Sequence, residues 1–179
     1  MAAMSLPPLT FVLGGARSGK SRRAEELVTA EPGPWRYVAT GQAFDAEMEE
    51  RIALHKDRRG PGWLTREAPL DLPGALEDLG AEPQPILVDC LTLWLTNLML
   101  GEHDIGHAVQ RLDHALDRIR APVVMVSNEV GLGIVPENRL ARAFRDEAGR
   151  LHQRVAARAD RVLFMVAGLP LTVKDVQAG

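Results

Sequence analysis

Short apolar runs and longer amphipathic stretches alternate along the chain. The apolar runs predict strands over residues 9–13, 37–39, 86–88, 123–126 and 161–166. Between them, apolar positions spaced three or four apart predict helices. These helices cover residues 21–29, 45–57, 70–79, 91–100, 105–119 and 137–159. Strands that alternate with helices are typical of an α/β fold with a mostly parallel sheet flanked by helices.

Two of the predicted strands, 86–88 and 123–126, are apolar at every position. A strand with one wet face shows polar alternation, so these two strands are predicted to lie centrally, with helices covering both faces. The segment 137–159 gives the clearest helical pattern, because its apolar side chains keep to one side between charged neighbours. These side chains are Leu140, Phe144, Leu151 and Val155.

The length and composition fit one domain. A chain of 179 residues with 46% hydrophobic content can bury roughly 70% of its unfolded surface in a single core. No internal repeat or long linker divides it, and the Pro- and Gly-bearing stretches are short enough to be loops. We therefore predict a flexible N-terminal extension over residues 1–8 and a single domain over residues 9–179.

Charge and cysteine content exclude several classes of protein. A formal net charge of −3 argues against nucleic acid as the main partner, because non-specific duplex binding requires a concentrated basic face. Cys90 is the only cysteine, so an intrachain disulfide and a multi-cysteine metal site are excluded, and a reducing cytoplasm is the expected location. The sequence also has neither a secretion signal at its start nor an apolar run of about 18 residues, so no membrane span is expected.

The segment 14–21, with the sequence GGARSGKS, matches the phosphate-binding loop G-x-x-x-x-G-K-[ST]. It follows a predicted strand and begins a predicted helix, so backbone N–H groups and the helix N-terminus converge on phosphate oxygens. Lys20 is expected to bridge the terminal phosphates, and the Ser21 hydroxyl to ligate Mg²⁺. The alternative is a Gly-rich turn without a ligand. The segment therefore predicts a P-loop that binds a nucleoside triphosphate with Mg²⁺.

Asp89 directly follows the buried strand 86–88. P-loop folds place the acidic residue that holds Mg²⁺, directly or through water, at this point. The alternative is that the Asp89 side chain caps the next helix by accepting from its free N–H groups.

His55 lies in a charged segment, residues 48–59, that ends in a basic cluster. One interpretation is a solvated amphipathic helix whose charges pair along its surface. The other makes His55 a nitrogen nucleophile, with Lys56, Arg58 and Arg59 holding an anionic phosphate chain. Spacing alone does not distinguish the two.

Several motifs occur here in the order found in one enzyme family. They are the P-loop at 14–21, Tyr37-Val38-Ala39-Thr40-Gly41, Asp45-Ala46-Glu47-Met48 leading to Arg51-Ile52 and His55, Trp63-Leu64-Thr65-Arg66-Glu67, and the segment 126–136. Together they resemble the bifunctional adenosylcobinamide kinase/adenosylcobinamide-phosphate guanylyltransferases of cobalamin biosynthesis. The resemblance covers nearly the whole chain after Pro8.

The resemblance implies a RecA-like P-loop NTPase fold, a homotrimer, and two Mg²⁺-dependent reactions on one scaffold. ATP or GTP phosphorylates adenosylcobinamide, and GTP then donates GMP to adenosylcobinamide phosphate with release of pyrophosphate. In the family the second reaction passes through a GMP-histidine intermediate, and His55 matches that histidine. Such a route divides one difficult substitution between two anions into two displacements.

The resemblance also carries nucleotide contacts over to positions of this sequence, including two acidic ones, Glu67 and Asp89. A carboxylate can recognise guanine by accepting from its N1–H and N2–H₂ groups. The implied contact residues are Gly14, Gly15, Ala16, Arg17, Ser18, Gly19, Lys20, Ser21, Ala39, Thr40, Gly41, Lys56, Asp57, Arg58, Arg59, Glu67 and Asp89.

Two other hypotheses follow from a P-loop, because a P-loop names a ligand class and not a reaction. The first is a single-activity kinase for a small metabolite, in which His55 is a surface residue. The second is a nucleotide-dependent binding module that switches its contacts with a protein partner.

Overall fold

The computed structural model describes residues 6–42 and 46–176. Its strands are β1 (Leu9–Gly14), β2 (Trp35–Ala39), β3 (Trp63–Glu67), β4 (Ile86–Asp89), β5 (Val123–Asn128), β6 (Arg161–Val166) and β7 (Leu169–Asp175). Its helices are α1 (Lys20–Thr29), α2 (Ala46–Arg59), α3 (Leu72–Leu79), α4 (Leu91–Leu100), α5 (Ile105–Arg118) and α6 (Arg139–Arg158).

The strands form one sheet in the order β3-β2-β4-β5-β1-β6-β7. All neighbours pair in parallel except β6 and β7, which form an antiparallel hairpin. The pairing places Gly14 beside Asn128 and Ala39 beside Asp89. The carboxyl ends of four strands therefore meet at one edge, where open α/β sheets bind their ligands. The predicted α/β fold with a mostly parallel, helix-flanked sheet is confirmed.

The sheet separates two apolar clusters. On one face, side chains such as Phe11, Val88 and Met125 pack against helices α3 to α6. On the other, Val12, Leu87 and other side chains pack against α1. The apolar positions of β4 and β5 are buried throughout, so the prediction that these strands are central and covered on both faces is confirmed.

Two strands were not predicted, and both lie at edges of the sheet. In β3 all residues after Trp63 are exposed, and β7 is exposed over most of its length and contains Pro170. Edge strands need no continuous apolar run and tolerate proline, so neither segment carries the signal of a buried strand. The pattern within α6 also needs one correction: Leu140, assigned to its apolar side, is 55% exposed at the first turn.

The predicted extension, residues 1–8, is described from Leu6 onward. The Leu6 N–H donates to Glu31 Oε1 at 2.6 Å, and the Pro8 carbonyl accepts from Val123 N–H at 2.9 Å. The described end of the segment is therefore hydrogen-bonded to the loop after α1 and to the first residue of β5. None of the described helices combines the length and the apolar character that crossing a membrane requires.

Candidate active site

The P-loop leaves β1 at Gly14, which is buried between β5 and β6. A Cβ at this position would clash with Ser18 Oγ and lie 3.0 Å from the Met165 Cβ, so any side chain here would force these neighbours to shift. The loop ends at Gly19, whose φ of +89° places it in the left-handed region as the N-cap of α1. The Ser18 carbonyl accepts from Gly168 N–H at 3.0 Å. The β6–β7 hairpin therefore supports the phosphate loop from outside.

Lys20 is the first residue of α1, and its ammonium donates to the Gly15 carbonyl at 2.9 Å. Burial lowers the pKa of Lys20 below its ordinary value of 10.5, and the Asp89 carboxylate partly opposes this shift. The loop thus supplies an internal acceptor to a poorly solvated cation. A phosphate oxygen offers the same cation a charged acceptor and a stronger hydrogen bond.

Asp89 ends β4 and faces the cleft together with two residues of other elements. The Tyr37 hydroxyl donates to Asp89 Oδ2 at 2.9 Å, and the Arg59 guanidinium stacks on the Tyr37 ring with its Cζ 3.5 Å from the centroid. Burial, with the neighbouring Asp89 carboxylate, raises the pKa of Tyr37, so the phenol remains a donor. The N-cap of α4 is Cys90 rather than Asp89. The alternative that Asp89 caps this helix is therefore wrong.

A network of buried hydrogen bonds lies next to Asp89, around Cys90. Thr40 is fully buried, and its hydroxyl donates to the Cys90 carbonyl at 2.6 Å and accepts from Cys90 N–H at 2.8 Å. Asn97 donates to the Thr40 carbonyl at 2.7 Å, and Asn128 donates to Thr92 Oγ1 at 2.9 Å. Burial raises the pKa of the Cys90 thiol to about 11. Thr40 therefore supports the cleft wall and does not face the cleft in this structure.

These elements enclose a cleft of about 960 Å³. The P-loop and Asp89 form its floor, and α2 with the ends of β2 and β3 forms its walls. The predicted site residues that line it are Ala16, Arg17, Lys20, Ser21, Ala39, Gly41, Lys56, Arg59, Glu67 and Asp89.

The other predicted site residues have different positions. Gly14, Gly15, Ser18 and Gly19 form the phosphate loop itself, and Asp57 is exposed on α2 outside the cleft lining. His55 and Arg58 belong to α2, but their side chains lie outside the described part of the structure, as does that of Arg51. Of the resembling motif 45–48, Asp45 also lies outside the described residues.

The cleft fits the Mg²⁺ that the resemblance implies. Ser21 and Asp89 both line it, and they offer the hydroxyl and carboxylate oxygens that Mg²⁺ prefers. Among the described residues, no group of three or more His, Cys, Asp or Glu is arranged so that it could hold a metal ion by itself. A small protein ligand set is what Mg²⁺ requires when nucleotide phosphates and water complete its coordination.

Sequence reasoning did not assign two residues of the cleft, Asn128 and Tyr37, and only Asn128 has a readable signal. Asn128 ends the buried strand β5 and lines the cleft, and polar residues at the carboxyl ends of parallel strands mark such sites. Tyr37 was noted only within a motif. Its contact with Asp89 depends on the pairing of β2 with β4, which local sequence does not specify.

Another buried polar contact joins β5 to α6. Ser127 Oγ and His152 Nε2 are 2.7 Å apart, and both residues are buried between β5 and α6. Burial lowers the pKa of His152, and the Glu129 carboxylate opposes this shift. His152 is therefore neutral near pH 7 and serves as a hydrogen-bonding partner for Ser127.

The chain is similar to a family of known enzymes over nearly its full length. The family model described as cobinamide kinase / cobinamide phosphate guanyltransferase matches residues 10–173. The bifunctional adenosylcobalamin biosynthesis protein CobP of Pseudomonas aeruginosa is 48% identical over 171 residues, covering 92% of this chain and 96% of that protein. The corresponding protein CobU of Salmonella typhimurium is 45% identical over 181 residues, covering 93% and 99%.

Solved structures with low sequence identity share the fold. A Pyrococcus horikoshii protein, PH0250, aligns with a TM-score of 0.58 at 9% identity, covering 97% of this chain and 89% of that one. An ATPase of a bacterial type III secretion system aligns with a TM-score of 0.50 at 12% identity, covering 93% and 57%. These likenesses show that the α/β fold of this chain occurs in solved structures of unrelated sequence.

Proposed function

Because the chain belongs to the cobinamide kinase / cobinamide phosphate guanyltransferase family, we propose that one cleft serves both reactions, with His55 as the acceptor of GMP. The chain is a bifunctional enzyme of adenosylcobalamin biosynthesis, a kinase and a guanylyltransferase that uses nucleotide substrates. The finer proposal concerns which residues carry the two transfers and what each one does.

One observation carries the proposal. Cations from two separate elements, Lys20 of α1 and Lys56 and Arg59 of α2, line the same cleft as Asp89. A triphosphate bound along the P-loop would therefore have positive charge on both sides. Both transfers break a P–O bond of the triphosphate. The same positive charges can therefore stabilise either leaving group, the nucleoside diphosphate or pyrophosphate.

In the kinase step, a hydroxyl oxygen of adenosylcobinamide attacks the γ-phosphorus of ATP or GTP. The bond from this phosphorus to the β–γ bridging oxygen breaks, the nucleoside diphosphate leaves, and the hydroxyl proton passes to solvent. Lys20 exchanges its Gly15 acceptor for a phosphate oxygen, and α1 directs its N-terminal N–H groups at the same anion. Ser21 and Asp89 would hold Mg²⁺, which when bound would supply charge neutralisation at the phosphates.

In the guanylyl step, a neutral His55 nitrogen attacks the α-phosphorus of GTP. The bond to the α–β bridging oxygen breaks and pyrophosphate leaves. A phosphate oxygen of adenosylcobinamide phosphate then attacks the GMP-histidine, the P–N bond breaks, and His55 is regenerated. Each displacement thus takes place between pre-positioned groups, which lowers its entropic cost.

The spacing along α2 supports the role of His55. Met48, Ile52, Lys56 and Arg59 line the cleft and follow one another at intervals of three or four residues. Residues three or four apart share one face of a helix. Position 55 lies three residues after Ile52 and four before Arg59, which is the spacing of positions on one helix face.

We also propose a homotrimer, as the family resemblance implies, and a cytoplasmic location. Exposed apolar side chains on β7 support an assembly, since Leu169, Leu171 and Val173 are 71%, 58% and 63% exposed at alternate positions. The single, buried Cys90 fits a reducing compartment. Sedimentation equilibrium tests the assembly: a fully active monomer would contradict it.

The decisive experiment is intact-protein mass spectrometry after incubation with GTP and Mg²⁺. We expect an acid-labile GMP adduct on the parent protein and none on the His55→Ala variant. The variant should also lose guanylyl transfer but keep much of its kinase activity, because the kinase step does not use His55. His114→Ala, an exposed histidine on α5, is the matched control. An adduct that persists in His55→Ala would refute the assignment.

A further inference from the structure

Tyr37 contacts two charged side chains of the cleft through different parts of its ring. Its hydroxyl donates to Asp89 Oδ2 at 2.9 Å, while its ring face carries the Arg59 guanidinium at 3.5 Å. We propose that Tyr37 is a positioning residue that holds the metal-binding carboxylate and the phosphate-binding guanidinium in fixed relation to one nucleotide. This inference rests on the proposed function, which gives Asp89 and Arg59 those roles.

Tyr37 is itself held firmly. It is 6% exposed and belongs to the apolar cluster between the sheet and α1. Trp63 packs edge-on against its ring, with the centroids 6.1 Å apart at an interplanar angle of 80°. Burial and the contact with Trp63 hold the Tyr37 ring in place, so it gives Asp89 and Arg59 a fixed point of contact.

The hydroxyl contact orients Asp89. Tyr37 occupies Oδ2, and Oδ1 accepts no hydrogen bond from any residue that the structure describes. One carboxylate oxygen is thereby tied to the protein while the other is left for the cleft, where Ser21 also lies. Hydrogen-bond partners of this kind fix the ligands of a metal, and their removal typically costs about 10- to 100-fold in metal affinity or activity.

The ring contact orients Arg59. Its Nε and Nη1 are buried without a hydrogen-bond partner among the described residues. Buried donors without a partner cost free energy, and a guanidinium stacked on an aromatic face keeps the N–H groups in its own plane free for an anion. The oxygens of a bound phosphate chain would supply acceptors that these donors lack. Arg59 is the last residue of α2, so Tyr37 ties the helix that carries His55 to the strand that carries Asp89.

The test uses two substitutions that separate the contacts. Tyr37→Phe removes the hydroxyl and keeps the ring, while Tyr37→Leu removes both. Trp35→Phe is the control, because Trp35 stacks on Trp63 in the same aromatic cluster and has no described contact with Asp89 or Arg59. The first readout is Mn²⁺ binding by electron paramagnetic resonance with β,γ-imido-GTP present. The second readout is kinetic: the half-saturating Mg²⁺ concentration and the KM for GTP are measured for both transfers.

We expect Tyr37→Phe to weaken Mn²⁺ binding roughly 10-fold, to raise the half-saturating Mg²⁺ in parallel, and to change the GTP KM little at saturating metal. Tyr37→Leu should show the same metal defect and a further rise in GTP KM of about 2- to 5-fold, as expected for the loss of a cation–π contact. The control should match the parent protein in both readouts. If Tyr37→Leu does not fold, the comparison of Tyr37→Phe with the control still decides.

Three results would overturn the inference in distinguishable ways. Parental Mn²⁺ affinity in Tyr37→Phe would remove the hydroxyl's role. An equal metal defect in Trp35→Phe would reduce Tyr37 to general packing. A parent protein that binds no Mn²⁺ with the GTP analogue and forms no GMP adduct would instead sink the proposed function, and this inference with it.

Discussion

Replacing Thr40 with valine removes a hydroxyl that is fully buried where β4 meets α4. Valine has nearly the same shape, so the change leaves no cavity and isolates the hydrogen bonds. The hydroxyl donates to the Cys90 carbonyl and accepts from the Cys90 N–H. The resemblance assigns Thr40 to nucleotide contact, whereas its burial predicts that the main effect of the substitution falls on stability.

The size of the effect follows from what each partner keeps. The Cys90 carbonyl retains a hydrogen bond from Trp94 N–H at 3.2 Å, so its loss is at the low end, about 0.5–1 kcal/mol. The Cys90 N–H is left unpaired in a buried site, which costs about 1–3 kcal/mol. We therefore expect a loss of about 1.5–4 kcal/mol in the free energy of unfolding, and a Tm lower by roughly 3–16 °C for a chain of this size.

The assay is urea unfolding followed by far-UV circular dichroism, with Thr40→Ser as the control. Serine keeps the hydroxyl and loses one methyl group, which costs about 1 kcal/mol. A Thr40→Val protein whose free energy of unfolding lies within about 0.5 kcal/mol of the parent's would refute the reasoning, because leaving a buried N–H without an acceptor costs more than that. Unchanged stability with weaker GTP binding would instead show that Thr40 acts on the nucleotide.

Two further predictions concern other parts of the fold. Burial lowers the pKa of His152 below 6.5, so below pH 6.5 the unfolded chain binds a proton that the folded chain does not, and stability falls as the pH falls towards the folded pKa. His152→Gln should flatten this slope in urea titrations between pH 7.5 and 5.5, and an unchanged slope would contradict the assignment. Gly19→Ala forces a side chain into φ +89° and 3.3 Å from the Gly168 Cα, so it should cost about 1–3 kcal/mol in thermal unfolding without nucleotide. Gly15→Ala, with nothing within 4 Å, should stay within about 0.5 kcal/mol, and equal losses would refute the steric argument.

The sequence predicted the elements whose signals are local. The P-loop lies within a few residues of the strand and the helix that flank it. The unbroken apolar runs of β4 and β5 indicate that these strands are buried. β3 and β7 lack such runs because one side of each faces no further strand. Their existence depends on neighbours, Trp35–Ala39 and Arg161–Val166, that are distant in the chain.

The candidate site divides in the same way. Lys20, Ser21 and Asp89 could be located because their positions follow directly from a loop motif and a strand end. The contacts of Tyr37 could not, since its hydroxyl meets a carboxylate 52 residues away only when β2 and β4 pair in one register. A shift of that register by one residue would turn Tyr37 to the opposite face of the sheet.

The position of β1 has a consequence for synthesis on the ribosome. The strand that leads into the phosphate loop pairs with β5 and β6, and the loop carbonyl of Ser18 bonds to Gly168. Elongation at about 5–20 residues per second takes roughly 7–30 s to cover the intervening stretch. Throughout that interval β1 lacks at least one of its two neighbouring strands, so the nucleotide site is incomplete during early folding. We therefore expect nascent chains that end before the β6–β7 hairpin to differ sharply from chains that include it. The two quantities to compare are the binding of a chaperone and the effect of added GTP on folding.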